Sequence, residues 1–199
     1  MATAREEIIL ATCRLLEKQG YPATGLNEII KESGAPKGSR YHYFPDGKEQ
    51  IVSEAMSFAG QVMVERMCSE LAKVENPIQA LYDYIMRLAD KVEEKHFTAG
   101  NPLTIVSVEA AGASERISRA CREVYDQIEA ILKEKMASCG LPEAEAAEQA
   151  RLTLASLEGG IILSRIHRTA DPLRSIAHHL NNRLQDSAQS QNHRSEGLK

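Results

Sequence analysis

Lys37, Ser39 and Arg40 fall within four residues of one another, just after Gly34-Ala35-Pro36, and Tyr41, His42, Tyr43 and Phe44 follow directly. Each type brings its own chemistry. A lysine ammonium and a serine hydroxyl at the start of a helix join the free backbone N–H groups there in holding an anion, phosphate above all. Arginine offers a fork of donors that meets guanine O6 and N7 together, worth about 1–3 kcal/mol of discrimination between bases. A core would use Leu, Ile and Val instead, and a flexible loop would not concentrate aromatic rings. The same side chains also suit an ordinary basic, aromatic surface helix. Acidic residues in the first fifty positions balance the basic ones, so charge does not choose between the two readings.

The elements that must position these groups are helical. Ile8, Ala11, Thr12, Leu15 and Leu16 recur on one helical face, and Gly20 suits the end of that helix. Thr24 is placed to cap a second helix with Leu26, Ile29 and Ile30 on its inner side. Gly34 supplies the positive φ of a tight turn, and a third short helix runs from Pro36 or Lys37 to about Phe44. Residues 26–44 therefore have the layout of a helix-turn-helix. Tyr41 and Phe44, three apart, are expected to pack inward on Ile8, Leu15 and Ile29, with Lys37, Ser39 and Arg40 outward at the end that enters a major groove.

The rest of the chain continues the pattern. An amphipathic helix from Lys48 passes through Ile51, Ala55, Phe58, Val62 and Met67. Asn76-Pro77, Ser114, Leu141-Pro142 and Asp171-Pro172 each open a further helix, and Gly100-Asn101-Pro102 makes a break before a short apolar segment, 103–111. The expectation is an all-α protein of about nine helices without internal repeats. Three parts are expected: 1–47 as a helix-turn-helix domain, 48–187 as a second domain, and 188–199 as a polar, disordered tail.

With 199 residues, 43% of them hydrophobic, the chain can bury a real core, and its net charge of −4 makes any nucleic-acid contact a matter of a local patch. Cys13, Cys68, Cys121 and Cys139 form no CxxC pair, which favours reduced thiols in a cytoplasmic protein over a disulfide framework or zinc site. Glu6 and Glu7 interrupt any signal-peptide pattern, and no apolar run approaches the roughly 20 residues of a membrane helix. GxSxG, HExxH, Walker and GxGxxG motifs are missing, so no enzyme is expected, and neither metal nor cofactor. His178-His179 is a poor metal pair, because neighbouring side chains on a helix diverge by about 100°. The competing reading is a helical interaction module or small enzyme that does not bind DNA.

Residues 5–50 resemble the DNA-binding domain of the TetR family of bacterial transcription regulators. The likeness rests on Arg5, Ile8, Ala11, Leu15-Leu16, Gly20-Tyr21, Thr24, Ile29-Ile30, Gly34-Ala35-Pro36-Lys37-Gly38-Ser39, Tyr41-His42-Tyr43-Phe44 and Lys48-Glu49. GAPKGS…HYFPDGKE and Gly100-Asn101-Pro102 further resemble the branch of drug-responsive repressors around LmrA and YxaF. Pro36 stands where the family often has a capping serine, and Arg40 where an apolar residue is common. The resemblance implies a ligand-responsive homodimeric repressor, released from a palindromic double-stranded DNA operator by an amphipathic or aromatic small-molecule effector.

Carried over by position, Thr24, Lys37, Ser39, Tyr41, His42 and Lys48 match phosphate contacts, and Gly38, Arg40 and Tyr43 match positions of base-edge contacts. The last two helices are expected to form the dimer interface, through Leu152, Ala155, Gly159, Ile162, Leu163, Ile166, Leu173, Ile176, Ala177 and Leu180. The alternative is packing within one chain. A ligand pocket is expected among Tyr82, Ile85, Met86, Ala89, Phe97, Leu103, Ile105, Val106, Glu109 and Tyr125. Glu109 could orient a polar or cationic ligand, pair with an arginine, or face water; each of the others could equally be plain core.

Overall fold

In the computed structural model the backbone is described for residues 3–36, 38–97, 102–110 and 112–196, with side chains for all of these but Arg40 and 190–196. Among the described residues the regular elements are all helices: α1 Ala4–Ala23, α2 Leu26–Ser33, α3 Ser39–Tyr43, α4 Lys48–Leu71, α5 Pro77–Glu94, α6 Pro102–Ala110, α7 Glu115–Ser138, α8 Glu143–His167 and α9 Asp171–Glu196. They fall into two compact units, Met1–Val64 with Ala99–Tyr125, and Glu65–Thr98 with Asp126–Lys199. α4 and α7 each contribute residues to both.

In the first unit, α1 is started by a capping box in which Thr3 and Glu6 satisfy each other's backbone N–H groups. Ile8, Ala11, Thr12, Leu15 and Leu16 are buried, as their spacing predicts. Gly20 then takes φ 75°, ψ −179°, a conformation that breaks the helix and favours glycine, and one more turn, Tyr21–Ala23, follows. Thr24 does not cap α2 as expected. Its hydroxyl donates to the Gly20 carbonyl at 2.6 Å and closes the end of α1, while Gly25 is the N-cap of α2 without a side-chain bond. α1 packs on α2, α3 and α6.

On α4, Ile51, Ala55 and Met67 are buried as expected, but Phe58 and Val62 are 43% and 50% exposed. The close contact of α4 with α7 is made instead at Gly60, where a Cβ would come within 2.2 Å of a Val124 methyl.

In the second unit, α9 packs on both α5 and α8. Gly160 makes room for the latter contact: a Cβ there would lie 2.7 Å from Ile176 Cδ1 and 2.9 Å from Leu173 Cδ2. Asn76 caps α5 with two bonds from the backbone N–H groups of Ile78 and Gln79, each 3.0 Å. α9 continues to Glu196, past the expected boundary at residue 187. The polar tail holds no glycine or proline before Gly197, so no helix breaker stands in the way. Gly100 and Asn101, expected to break the chain before α6, lie outside the described residues.

Candidate nucleic-acid interface

The head of the first unit is built around Phe44, which is 2% exposed. Gly34, at φ 68° and ψ 1°, ends α2, and its N–H donates to the Lys31 carbonyl. The turn then delivers α3, five residues long and entered through bonds from Ser39 N–H to the Pro36 carbonyl and Tyr41 N–H to the Gly38 carbonyl. Lys37 lies outside the described residues, and the Arg40 side chain likewise.

Tyr41 is the first correction at this site. Expected inward, it is 68% exposed. Phe44 alone fills the inward position: α3 ends at Tyr43 and Phe44 lies just past it, so the helical spacing that would put Tyr41 on the same side does not extend to it. His42 is also exposed, and its ring meets Tyr43 edge-on at 4.7 Å. Tyr43 in turn stands edge-on to Phe44 at 6.5 Å, and the Arg5 guanidinium covers the Phe44 ring at 5.6 Å. Nothing within 4 Å would meet a Cβ at Gly38, so the space above it is open. Gln50, which the sequence did not single out, ties α4 to α3: its amide donates to the Tyr43 carbonyl at 3.4 Å, and its carbonyl accepts the Asp46 N–H at 3.1 Å.

Two of the expected phosphate contacts are engaged inside the protein. Thr24 is fully buried, with its hydroxyl on Gly20. The Lys48 ammonium donates to the Tyr21 carbonyl at 2.7 Å and sits over the Tyr21 ring at 4.0 Å. Partial burial lowers the Lys48 pKa, against the opposing pull of the Glu109 carboxylate.

The expected pocket residues divide between the units. Leu103, Ile105, Val106, Glu109 and Tyr125 belong to the first, and Tyr82, Ile85, Met86, Ala89 and Phe97 to the second. Leu103, Val106, Ile85 and Ala89 are buried. Tyr82 is tilted against His178 at 5.4 Å. Glu109 takes the role of a backbone partner, accepting the Tyr21 N–H at 2.6 Å. A groove of about 360 Å³ lies elsewhere, lined by Arg5, Glu6, Ile9, Leu10, Glu54, Ser57 and Phe58, none of them a candidate from sequence.

The expected interface residues also divide. Leu152, Ile162, Leu163 and Ile166 are 45–68% exposed, and Ala155 is exposed beside them. Leu173, Ala177 and Leu180 are at most 3% exposed and are already used inside the chain, while Gly159 and Ile176 are half-buried. All four cysteines are free thiols, and burial pushes Cys13 and Cys139 up to about 11. Among the described residues no group of His, Cys, Asp and Glu could hold a metal ion, and no helix is long and apolar enough to cross a membrane.

A short outward helix, set behind a glycine turn and hung on a buried three-helix core, defines a helix-turn-helix of the kind that reads duplex DNA. The comparisons with known proteins agree. The family profile "Bacterial regulatory proteins, tetR family" matches residues 8–55, and "Transcriptional regulator LmrA/YxaF-like, C-terminal domain" matches residues 77–179. The chain is 36% identical over 174 residues to the uncharacterized HTH-type transcriptional regulator YxaF of Bacillus subtilis, spanning 87% of this chain and 91% of that one. It is 34% identical to the HTH-type transcriptional regulator LmrA of the same organism, spanning 87% and 93%. Among solved structures, the reduced form of Escherichia coli NemR shares the fold with a TM-score of 0.79, at 22% identity over 90% of this chain and 96% of that one. The regulatory protein TetR from Rhodobacter sphaeroides follows at 0.78, 19% identical over 91% and 98%.

This chain belongs to the TetR family of bacterial regulatory proteins and is a DNA-binding transcriptional regulator with an LmrA/YxaF-like C-terminal domain. The relatives named here are regulators, not enzymes.

Proposed function

We propose that the protein is a homodimeric repressor that acts in the cytoplasm, docks two heads on a palindromic operator, and leaves it when a small amphipathic or aromatic effector binds. The observation that carries the reading is the outward face of α3: Tyr41 and His42 exposed and Gly38 open, over a fixed Phe44 anchor. Residues 1–47 serve as the reading head and 48–187 as the effector and dimer part. Ser39, His42, Tyr41 and Lys37 hold phosphate, and Gly38, Arg40 and Tyr43 meet base edges. Thr24 and Lys48 support the head from within, as their bonds to Gly20 and Tyr21 favour.

The dimer face is the outward stripe of α8. Leu152, Ala155, Gly159, Ile162, Leu163 and Ile166 share one side of the helix, and most are exposed in the single chain. Two heads joined this way suit half-sites about one DNA turn, roughly 34–36 Å, apart or a multiple of it.

The test is fluorescence anisotropy on the duplex upstream of the protein's own gene, against a random duplex at two salt concentrations, with aromatic amphipaths added to the complex. Selective binding that weakens steeply with salt and is released by a compound is the expected result. Equal affinity for both duplexes, followed by failure to enrich any sequence from a random pool, sinks the reading.

A further inference from the structure

Residue 21 is held from two sides by opposite charges. Glu109, on α6, accepts the Tyr21 N–H through Oε2 at 2.6 Å, and Lys48, the first residue of α4, donates to the Tyr21 carbonyl at 2.7 Å while covering its ring. A hydrogen bond to an ionised partner is stronger than a neutral one. The point gripped is the break in α1, where Gly20 leaves helical geometry. The fit there is close. A Cβ on Gly20 would lie 2.6 Å from both carboxylate oxygens of Glu109, so a side chain there would displace the carboxylate besides straining the positive φ. Two further ties join the same end of α6 and the start of α7 to the head: the Ser114 hydroxyl donates to Glu49 at 3.0 Å, and Arg116 pairs with Asp46 at 2.7 Å. Both lie beside the Asp46-Gly47 turn that leads out of α3, and the second is largely exposed and correspondingly weak. Glu109 alone of the three grips main chain, and it does so beside the non-helical Gly20 of α1.

We propose that Glu109 is a positioning residue for operator binding, which touches no DNA but fixes the angle of the reading head by holding the Gly20-Tyr21 break of α1 to α6. The proposal rests on the repressor reading above. α6 leads into α7, whose residues beyond Tyr125 belong to the second unit, so a contact at Glu109 links the head to the chain that runs on into the dimer-forming part. A head held at one angle accepts one separation of half-sites. A head freed at the break accepts several, while its own contacts with a half-site are unchanged.

The experiment compares the wild type with Glu109→Ala and Glu109→Gln. It uses the duplex that the wild type selects from a random pool, the same duplex with its spacer lengthened by about two base pairs, and an isolated half-site. The expected result is that Glu109→Ala loses about tenfold of the preference for the native spacing, a typical size for a coupling between sites, and keeps its half-site affinity. Glu109→Gln, whose amide oxygen still accepts the Tyr21 N–H, keeps most of the preference. A merely structural role would lower thermal stability and weaken both duplexes and the half-site together, and that outcome overturns the proposal, as does an unchanged spacing preference in Glu109→Ala. Hydrogen exchange at the Tyr21 amide reads the same contact without DNA. It is expected slow in the wild type and in Glu109→Gln and fast in Glu109→Ala, and equal rates in all three overturn the contact itself. A wild type that selects no duplex fails the repressor reading instead, while the exchange measurement still judges the contact.

Discussion

Gly159 and Gly160 are neighbours in the middle of α8, and replacing each with alanine should move stability in opposite directions. Both substitutions gain about 1 kcal/mol of helix propensity, because glycine gives up more backbone freedom on folding. At Gly159 nothing lies within 4 Å of the new methyl, so the gain stands and the single chain is stabilised by about that amount. For a chain of this size that raises Tm by about 2–4 °C. At Gly160 the methyl would meet Ile176 Cδ1 at 2.7 Å and Leu173 Cδ2 at 2.9 Å, closer than such atoms can sit. Both are ends of flexible side chains, so they can shift, at the overpacking cost of about 1–3 kcal/mol seen in cores. The net for Gly160→Ala is a loss of up to about 2 kcal/mol. Denaturant unfolding at two protein concentrations, with sedimentation to follow assembly, separates the terms. If α8 meets its copy closely at Gly159, Gly159→Ala stabilises the monomer but weakens the dimer. A Gly159→Ala dimer as tight as the wild type would move the interface away from that glycine. Equal shifts for the two variants, in either direction, would refute the packing argument.

The head offers a matched pair as well. Phe44→Ala empties a site that is 2% exposed and should cost about 3–5 kcal/mol, read by thermal melting, whereas Tyr41→Ala, at a 68% exposed position, should leave the stability within about 0.5 kcal/mol of the wild type and weaken DNA binding instead. Alkaline stability should fall in a defined window. Burial raises the Cys13 and Cys139 thiols from 9.0 to about 11, so the unfolded chain loses these protons first; the contribution is intact below pH 9 and lost as pH climbs towards 11, a decline that Cys13→Ala with Cys139→Ala should flatten in urea titrations. The exposed Cys68 should react with a thiol reagent well before these two.

Helical period told the inside from the outside on α1 and α9, though not throughout α4, where Phe58 and Val62 turned out exposed. Ile8, Ala11, Leu15 and Leu16 on α1, and Leu173, Ala177 and Leu180 on α9, recur every three or four residues, and all are buried. Periodicity does not say against what a face is buried. The α9 residues read equally well as a dimer surface and as the seam with α8, and their burial in the single chain, with Leu173 closing on Gly160, shows that they are spent within the chain. Short elements were harder. Tyr41 and Phe44 read as one inward helical face, but the helix stops at Tyr43, and only Phe44, just beyond it, is inward.

The signal least visible in the sequence is a polar contact between distant residues. Glu109 stands in an otherwise apolar stretch, which marked it as unusual, and a ligand, an arginine or water were the partners that composition could suggest. Its partner is a backbone N–H 88 residues earlier, next to the break at Gly20. A backbone donor has no residue type, so no pattern of side chains can announce it. The two signs that do exist are a glycine inside a helix and a lone carboxylate on an apolar helix, and each has several separate explanations. Only the bond from the Tyr21 N–H, next to that glycine, to the Glu109 carboxylate turns them into one feature. The same reasoning bears on Lys48. Position alone pairs it with phosphate, yet its bond to the Tyr21 carbonyl makes it the second half of that feature, which favours a lysine that shapes the head over one that touches DNA.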